Sequence, residues 1–350
     1  MEKTPLISIC IPVYNRLKPL EYTVPSLLKQ VEEDGQGLFE VVISINPAED
    51  GQEVVTHYVK DLAMRYEMNV NINSRNIGGD LNIVKSIECA KGRFVWVIGD
   101  DDLILPGTIK KIVGILQAHK DVTWIFINSA RLAGAIEDET TRILTPKANK
   151  VKDGFFQDGK EEIKKIYKKI GGGLLFSTSN IYLKSSVEEI GKQYPNQCYQ
   201  LAFTFHSASK GAAYIIAEPC ILAGGNTTWG NRSADVQVRR MNDDLLALVG
   251  NAYSRKEVYG IIRNRMMHMS LGTWFVILRL ILKGEQMGIT ALKKLVRIMP
   301  VSCLFVMLFL PLIAVYLVVR HQYREFQRRR ECEKYKHLEN ARKEILERII

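Results

Sequence analysis

The chain has 350 residues and a formal net charge of +10. This length exceeds that of a minimal binding module and predicts one large domain with appendages, or two domains. The positive charge indicates an anionic partner, such as nucleic acid, acidic lipid or a phosphorylated substrate. The sequence contains no recognisable nucleic-acid-binding module and no basic stripe interleaved with aromatic residues, so we expect no nucleic-acid partner.

Cysteine usage and the N-terminus indicate the compartment. The six cysteines are scattered, without a C-x-x-C pair or a zinc-ligand spacing. We interpret them as reduced thiols in a cytosolic compartment. The stretch LISICIP is too short for the apolar region of a signal peptide and lacks a small-residue cleavage site, which predicts no secretory leader.

Short apolar runs alternate with helical patterns over residues 1–130. The runs are rich in isoleucine and valine and have the length of strands: Leu6–Ile11, Phe39–Ile45, Asn69–Ile72, Arg93–Ile98 and Val122–Ile127. Helical periodicity occupies the intervals Leu20–Glu33, Gln52–Tyr66, Leu81–Ala90 and Gly107–His119. This alternation predicts an α/β fold with a doubly wound, mostly parallel sheet that helices cover on both faces.

Each of the first four predicted strands ends in a polar stretch. These stretches are PVYNR (12–16), NPAEDG (46–51), NSRNIGG (73–79) and GDDD (99–102). Ligands in such sheets bind beyond the carboxyl ends of the strands. We therefore expect the four stretches to converge on one crevice.

The rest of the chain divides by composition. Residues 131–234 begin charged and irregular and then resume order at GGGLLFSTSN, which predicts a second, mixed substructure. Helical patterns dominate residues 235–297, including the amphipathic stretch LGTWFVILRLILKG (271–284). Residues 298–319 contain no charge, and residues 320–350 form a basic tail.

The stretch VWVIGDDDLILPG places three like charges at the end of an apolar run. One aspartate could cap the following helix, and an exposed loop could simply be acidic. Carboxylates beside an apolar core are costly unless a cation or hydrogen bonds compensate them, however. Mg²⁺ and Mn²⁺ prefer oxygen ligands and are held by one or two carboxylates together with substrate phosphates. We therefore expect Asp100 and Asp102 to bind such a metal, with one of them supporting it or reaching a ribose hydroxyl.

The motifs PVYNR, NSRNIGG and GDDD, in this order and on this β–α–β–α background, resemble those of the family 2 glycosyltransferases with the GT-A fold. The resemblance covers roughly the first 130 residues. It implies that residues 1–130 form the nucleotide-sugar half of the domain and residues 131–234 the acceptor-side half. It also implies that Asp102 is the direct ligand of Mn²⁺ or Mg²⁺, which is held against the diphosphate.

The resemblance further implies which residues contact the donor. The nucleotide pocket would be lined by Pro12, Tyr14, Asn15, Arg16, Asn46, Arg75, Asn76 and Gly78, with Asp100 and Asp101 beside the sugar nucleotide. From residue type alone, Arg232 could contact the diphosphate and Trp229 could stack on a sugar ring. The alternative for these two is an ordinary glycine-rich surface loop.

Two departures from the family pattern concern recognition of the nucleobase and the general base that accepts the hydroxyl proton. The family usually has an aspartate where this chain has Ile45, so a preference for uracil does not follow. The family's late Glu-Asp pair is missing after Tyr194 and Pro195, which leaves the general base open. Glu188, Glu189 and His206 are the candidates, because a carboxylate or an imidazole can accept the hydroxyl proton. The alternatives are that the two glutamates lie on a solvated helix surface and that His206 is a histidine of the core.

Residues 298–319 have the length of a bilayer span, and a run that is apolar all round is not typical of a buried core helix. A single span would place the arginine-rich tail outside the cell, whereas basic flanks favour the cytoplasmic side. We therefore predict a re-entrant or interfacial hairpin bent near Pro311, with a single span as the alternative. The basic residues around it would meet anionic lipid.

Together these features predict a metal-dependent, inverting glycosyltransferase on the cytoplasmic face of the bacterial inner membrane. The expected partners are a nucleotide-sugar donor, a lipid-linked saccharide acceptor and membrane lipid, as in surface polysaccharide or O-antigen assembly. One alternative is transfer to a lipid or protein acceptor. Another is an inactive sugar-nucleotide-binding or scaffold protein.

Overall fold

The computed structural model describes residues 4–35, 37–47, 52–134, 141, 143–144, 151–191, 199–224, 245–268, 322–323 and 336–349. The strands are β1 Ile7–Tyr14, β2 Phe39–Asn46, β3 Asn69–Ile72, β4 Phe94–Val97, β5 Leu103–Ile104, β6 Val122–Leu132, β7 Ile143–Leu144, β8 Gly154–Phe156, β9 Asn180–Leu183 and β10 Ala212–Ala223. The helices are α1 Leu17–Asp34, α2 Gln52–Arg65, α3 Gly79–Glu88, α4 Thr108–Ala118, α5 Gly159–Ile170, α6 Lys184–Gly191, α7 Tyr199–Ala208, α8 Arg255–His268 and α9 Lys336–Ile349. Two 3₁₀ turns, Gly171–Leu175 and Ser177–Ser179, lie between α5 and β9.

The first four strands form the parallel half of the sheet, in the spatial order β3-β2-β1-β4. All three of their pairings are parallel, so the carboxyl ends of the four strands lie along one edge. Strands β1 and β4 are almost wholly buried, as expected where helices cover both faces. Below, this edge is called the carboxyl edge, and the other one the amino edge.

The expected parallel strands are present, but the ten-stranded sheet as a whole is mixed, which the sequence did not predict. Four of the described strand pairings are parallel and five are antiparallel. Strand β9 lies antiparallel between β4 and β6, and the short strands β5, β7 and β8 also pair antiparallel. The sequence reading missed these strands because two- to four-residue pieces show no periodicity.

The two predicted halves share this one sheet. The boundary expected between residues 130 and 131 falls inside β6, and β6 pairs with β10 of the second half over most of its length. Helices α1, α2 and α4 pack on one face of the sheet, and α3, α5, α6, α7 and α8 contribute to the core on the other. The sheet is therefore built by strands from both halves.

The C-terminal tail, predicted only to be basic, contributes helix α9 to the folded unit. Leu338 and Ile345 of α9 are buried with Leu103 and Leu105, the apolar residues that follow the aspartates. Arg342 of α9 is also buried and donates from Nη1 to the Thr141 carbonyl at 3.1 Å. The tail thus supports the chain segment that carries the acidic triplet.

The hydrophobic stretch 298–319 lies outside the described residues, as do most of residues 235–297. Within the part of the chain that is described, no helix has the length and apolar character needed to cross a membrane.

Candidate active site

Strand β1 extends further than the sequence predicted and delivers Arg16 to the carboxyl edge. Pro12 and Tyr14 belong to the strand itself, and Tyr14 is 48% exposed at its end. Asn15 has a φ of 46°, a left-handed conformation that asparagine tolerates better than most residues. This turn separates β1 from α1 and directs the Arg16 side chain toward the aspartates that follow β4.

Arg16 bridges two of the three aspartates. Its Nε donates to Asp100 Oδ2 at 3.2 Å and its Nη1 to Asp101 Oδ2 at 3.0 Å, while Nη2 contacts Asp100 Oδ1. A guanidinium can hold carboxylates with this fork geometry. Asp100 is also fixed through its backbone, because its carbonyl accepts from Thr23 Oγ1 at 2.9 Å. Arg16 therefore supplies part of the compensation that the acidic triplet requires.

Asp102 points inward and has different partners. Thr178 Oγ1 donates to Asp102 Oδ2 at 2.5 Å, and the Gly224 N–H donates to Oδ1 at 3.1 Å. Two glycines leave room for this carboxylate: a Cβ on Gly99 would lie 2.5 Å from Asp102 Oδ2, and one on Gly224 would lie 2.4 Å from the Asp101 carbonyl oxygen. The backbone thus encloses the carboxylates so closely that no side chain fits at either position.

Burial makes the triplet electrostatically unfavourable. It is the main cause that raises the pKa of Asp100 to about 7, and Asp101 adds to it while Arg16 opposes it. Burial and Asp101 also raise the pKa of Asp102, against the hydrogen bonds from Thr178 and Gly224. Ionised, the three carboxylates carry three negative charges against the single positive charge of Arg16. These four side chains therefore retain affinity for a further cation.

The oxygen-rich character of the cluster suits a hard divalent metal. None of the three aspartates caps α4, whose N-cap is Gly107 without a side-chain hydrogen bond. Among the described residues, no three His, Cys, Asp or Glu side chains converge on one point. A site with one or two carboxylates, completed by phosphate oxygens of a ligand, is the arrangement in which proteins usually hold Mg²⁺. Asp100 and Asp102 fit that arrangement.

A buried amide network fixes the loop after β3. Asn46 Oδ1 accepts from Asn73 Nδ2 at 3.0 Å, and Asn46 Nδ2 donates to the Gly78 carbonyl at 3.1 Å. Asn82 of α3 accepts from Ser44 and Asn73 and donates to the carbonyls of Val13 and Ser44. Asn46 is only 2% exposed. Its amide therefore holds the loop in place and does not face a ligand in this arrangement. Sequence reasoning had assigned Asn46 to the nucleotide.

The same network presents Arg75 and Asn76 at the protein surface, beside the carboxyl edge. Both residues are exposed, and Asn76 Oδ1 accepts from the Gly78 N–H at 2.9 Å. Gly78 has a φ of 83°, which a residue with a Cβ rarely adopts, and it is the N-cap of α3. The neighbouring Ile45 is 1% exposed and packs in the apolar core. The position where the family usually has its aspartate thus faces away from the crevice.

The three candidate bases do not lie with the aspartates. Ser207, the neighbour of His206, accepts from the Leu183 N–H, and Leu183 lies opposite Phe94 at the start of β4. Phe94 precedes Asp100 by six residues, which corresponds to about 15–20 Å along the sheet. His206 Nε2 is 2.7 Å from Glu189 Oε2, and Glu189 also pairs with Lys210. This group lies at the amino edge.

Glu188 is part of the same helix as Glu189 and pairs with Lys184 at 2.7 Å. Its side chain is about half exposed, in agreement with the solvated-surface alternative. A general base must lie within hydrogen-bond reach of the proton that it accepts. We therefore do not retain Glu188, Glu189 or His206 as the base, because this fold holds Glu189 and His206 at the opposite end of the sheet.

Two further residues of the sequence reading, Trp229 and Arg232, lie outside the described residues. Thr178, in contrast, was missed by the sequence reading and contacts the triplet directly. Its only signal in the sequence was the polar stretch STSN before an apolar run. Such a stretch is common in turns and does not reveal a partner 76 residues away.

Comparison with known proteins agrees with the fold and the motifs. Residues 8–191, more than half of the chain, match the family model described as glycosyl transferase family 2. Abequosyltransferase RfbV of Salmonella typhimurium is 33% identical over 116 residues, which is 33% of this chain and 33% of that protein. The chain thus matches about a third of the length of this curated relative.

Solved structures show the same fold at lower identity. The S. aureus TarS 1-349 structure in complex with UDP-GlcNAc has a TM-score of 0.61 at 17% identity, and the match covers 84% of this chain and 81% of that one. The mannosyltransferase PcManGT of Pyrobaculum calidifontis, in complex with GDP-Man and Mn²⁺, has a TM-score of 0.51 at 12% identity over 91% and 84% of the two chains. The expected GT-A fold is confirmed, and the chain belongs to glycosyl transferase family 2.

Proposed function

We propose that this protein is a metal-dependent, inverting glycosyltransferase that moves a sugar from a nucleotide-diphosphate donor to a lipid-linked saccharide in bacterial surface polysaccharide synthesis. The observation that carries the proposal is the cluster of Asp100, Asp101, Asp102 and Arg16 at the carboxyl edge of the parallel strands. Ligands of α/β sheets bind at this edge. The family and the donor complexes of TarS and PcManGT support the same class of donor.

Different residues at the carboxyl edge would contact different parts of the donor. Tyr14 and the exposed loop with Arg75 and Asn76 would border the nucleotide. Arg16 would pair with the diphosphate once its guanidinium has separated from the aspartates. Asp100 and Asp102 would hold Mn²⁺ or Mg²⁺. Bound there, such a cation would act as a Lewis acid and neutralise the charge that develops on the leaving diphosphate.

The reaction that we propose is a single displacement. The acceptor hydroxyl oxygen forms a bond to the anomeric carbon while the bond from that carbon to the diphosphate oxygen breaks. The hydroxyl proton passes to a base, and the configuration at the anomeric carbon inverts. Arg16 and the buried acidic cluster provide a preorganised polar environment for the separating charges.

A nucleotide-sugar screen tests the donor and the metal. With the detergent-solubilised full chain, we expect one of the UDP, GDP, CDP or dTDP sugars to raise the thermal midpoint by several degrees, and more so with Mn²⁺, because a ligand at 100 times its Kd adds about 2.7 kcal/mol of stability. The same donor should be hydrolysed slowly without acceptor. Binding without any turnover would favour an inactive sugar-nucleotide-binding protein.

The acceptor and the location are proposed on other grounds. The uncharged segment 298–319 and its basic flanks favour a lipid-linked acceptor at the cytoplasmic face of the inner membrane. RfbV, named as an abequosyltransferase, supports a sugar-transfer role of this kind. Transfer to another lipid or to a protein is the alternative, which an assay with extracted lipid-linked saccharides and with membrane protein would distinguish.

Two described helices bear on how the uncharged segment could meet the bilayer. Helix α8, before the segment, packs against α5, and helix α9, after it, packs against α1. Both helices thus belong to one folded unit, and a bilayer cannot separate them while these contacts persist. The packing supports a segment that returns to the side it entered, and it disfavours a single span.

The position of the C-terminus tests this topology. A protease-sensitive tag fused after Ile350 is expected to resist protease added to intact cells and to be cleaved only after the cells are opened. The protein itself should sediment with membranes. A tag that is cleaved in intact cells would contradict the hairpin and restore the single span, and a protein that stays in the soluble fraction would contradict membrane association.

A further inference from the structure

We infer that Thr178 is a positioning residue that sets the metal affinity of the site by fixing the Asp102 carboxylate. The inference rests on the proposed metal role of Asp102. Thr178 lies in the short 3₁₀ turn before β9, and its side chain is fully buried. Its hydroxyl is 2.5 Å from Asp102 Oδ2.

The hydrogen bonds around Thr178 determine where its hydroxyl group donates. The Gly99 N–H donates to Thr178 Oγ1 at 3.0 Å, so the hydroxyl oxygen is an acceptor on that side. A threonine hydroxyl has one proton to donate. Because Asp102 Oδ2 is the acceptor at hydrogen-bond distance, the proton points to the carboxylate.

The backbone of Thr178 is held equally firmly. The indole Nε1 of Trp96, a fully buried residue of β4, donates to the Thr178 carbonyl at 2.8 Å. Thr178 is therefore fixed to the strand that leads into the aspartates and cannot drift relative to them. The Gly224 N–H engages the other oxygen of Asp102, so the plane of the carboxylate is determined from both sides.

In metal sites, residues behind the metal ligands often orient these ligands by hydrogen bonds, and Thr178 and Gly224 are placed in this way behind Asp102. Each carboxylate oxygen has more than one lone pair, so a hydrogen bond from Thr178 or Gly224 leaves capacity for a cation. Loss of an outer hydrogen bond of this kind typically costs about 10- to 100-fold in metal affinity. We expect Thr178 to act on the metal through Asp102 and not to touch the sugar nucleotide.

The test measures Mn²⁺ binding to the full chain in the absence of donor, by the electron paramagnetic resonance signal of free Mn²⁺. Thr178→Val and Thr178→Ala should each weaken binding at least about 10-fold. Thr178→Ser, which keeps the hydroxyl, should bind within about threefold of the unmodified protein. Thr204→Val is the matched control, because Thr204 is equally buried and hydrogen-bonded but lies on α7, away from the aspartates.

A donor titration at saturating Mn²⁺ separates positioning from general disruption. The Thr178→Ala variant should recover most of its turnover when Mn²⁺ is raised, with an unchanged KM for the donor. Unchanged Mn²⁺ affinity in both hydroxyl-free variants, or equal weakening in Thr178→Ser, would overturn the inference. If the unmodified chain binds no Mn²⁺ and its turnover with donor does not depend on Mn²⁺, the proposed metal dependence fails instead, so the two failures are distinguishable.

Discussion

Asp102→Asn is expected to reduce sugar transfer by about 100- to 1,000-fold, which corresponds to ~2.7–4 kcal/mol of transition-state stabilisation at 1.36 kcal/mol per tenfold. The substitution keeps the shape of the side chain but removes the charge that a divalent cation needs. The stabilisation by Mn²⁺ should also disappear. The metal-free variant should still unfold cooperatively, because the side chain keeps its volume, although its amide can accept only one of the hydrogen bonds from Thr178 and Gly224. Initial rates and thermal midpoints with and without Mn²⁺ measure both effects.

Glu88→Gln is the matched control for the loss of one carboxylate. Glu88 ends α3, and its exposed side chain pairs with Lys85 at 3.5 Å. Exposed ion pairs contribute little, so we expect activity and Mn²⁺ stabilisation to stay within about twofold of the unmodified protein. Metal-dependent stabilisation that survives in Asp102→Asn would show that the metal assignment is wrong.

Gly224→Ala is expected to cause the second large effect, although it adds only a methyl group. The new Cβ would lie 2.4 Å from the Asp101 carbonyl oxygen and 2.8 Å from Asp101 Oδ2. Because backbone faces backbone here, the strand end must move, and the Gly224 N–H would leave Asp102 Oδ1. We expect a loss of about 1–3 kcal/mol in the free energy of unfolding. Activity and Mn²⁺ affinity should each fall at least about 10-fold.

Gly114→Ala provides the control for a glycine-to-alanine change. Gly114 lies inside α4, where a Cβ would meet nothing within 4 Å. Alanine there should stabilise the protein by roughly 0.5–1 kcal/mol, because glycine inside a helix is unfavourable. Denaturant unfolding and initial rates compare the two variants. Activity of Gly224→Ala equal to that of Gly114→Ala would contradict the close packing at the acidic triplet.

Three adjacent aspartates are tolerated because different parts of the fold supply the groups that compensate their charges. Asp100 and Asp101 share Arg16, which comes from the end of β1. Asp102 receives Thr178 and Gly224, which come from the second half of the chain. Burial nevertheless raises the pKa of Asp100 to about 7, so the compensation is incomplete. Unfavourable charge retained in a folded protein is typical of a binding site.

The parallel half of the sheet could be predicted from sequence because its information is local. The buried strands read as continuous apolar runs, and Asn69–Ile72 was predicted with the bounds that the structure shows. The prediction of helix α2 differs from the structure by one residue at its end. The later strands were missed because short strands are stabilised by their neighbours in the sheet and have no pattern of their own.

The candidate site shows the same limit. PVYNR and GDDD marked the residues that the structure brings together, since PVYNR spans the end of β1, GDDD follows β4, and the two strands run in parallel to one edge. The candidate bases were chosen by residue type alone, and a residue type does not reveal at which edge a helix begins. Helix α9 illustrates a related limit, because a basic composition concealed the apolar face formed by Leu338 and Ile345.

The sequence by itself determined the family, the parallel strands and the acidic triplet at their carboxyl edge, because periodicity and short motifs depend on neighbouring residues. Only the tertiary structure decided that the sheet is mixed, that Arg16 and Thr178 compensate the aspartates, and that Glu189 and His206 lie at the other edge. The side-chain contacts among those features join residues 17 to 85 positions apart. The path of the chain through the whole sheet sets such contacts, and no local pattern encodes it.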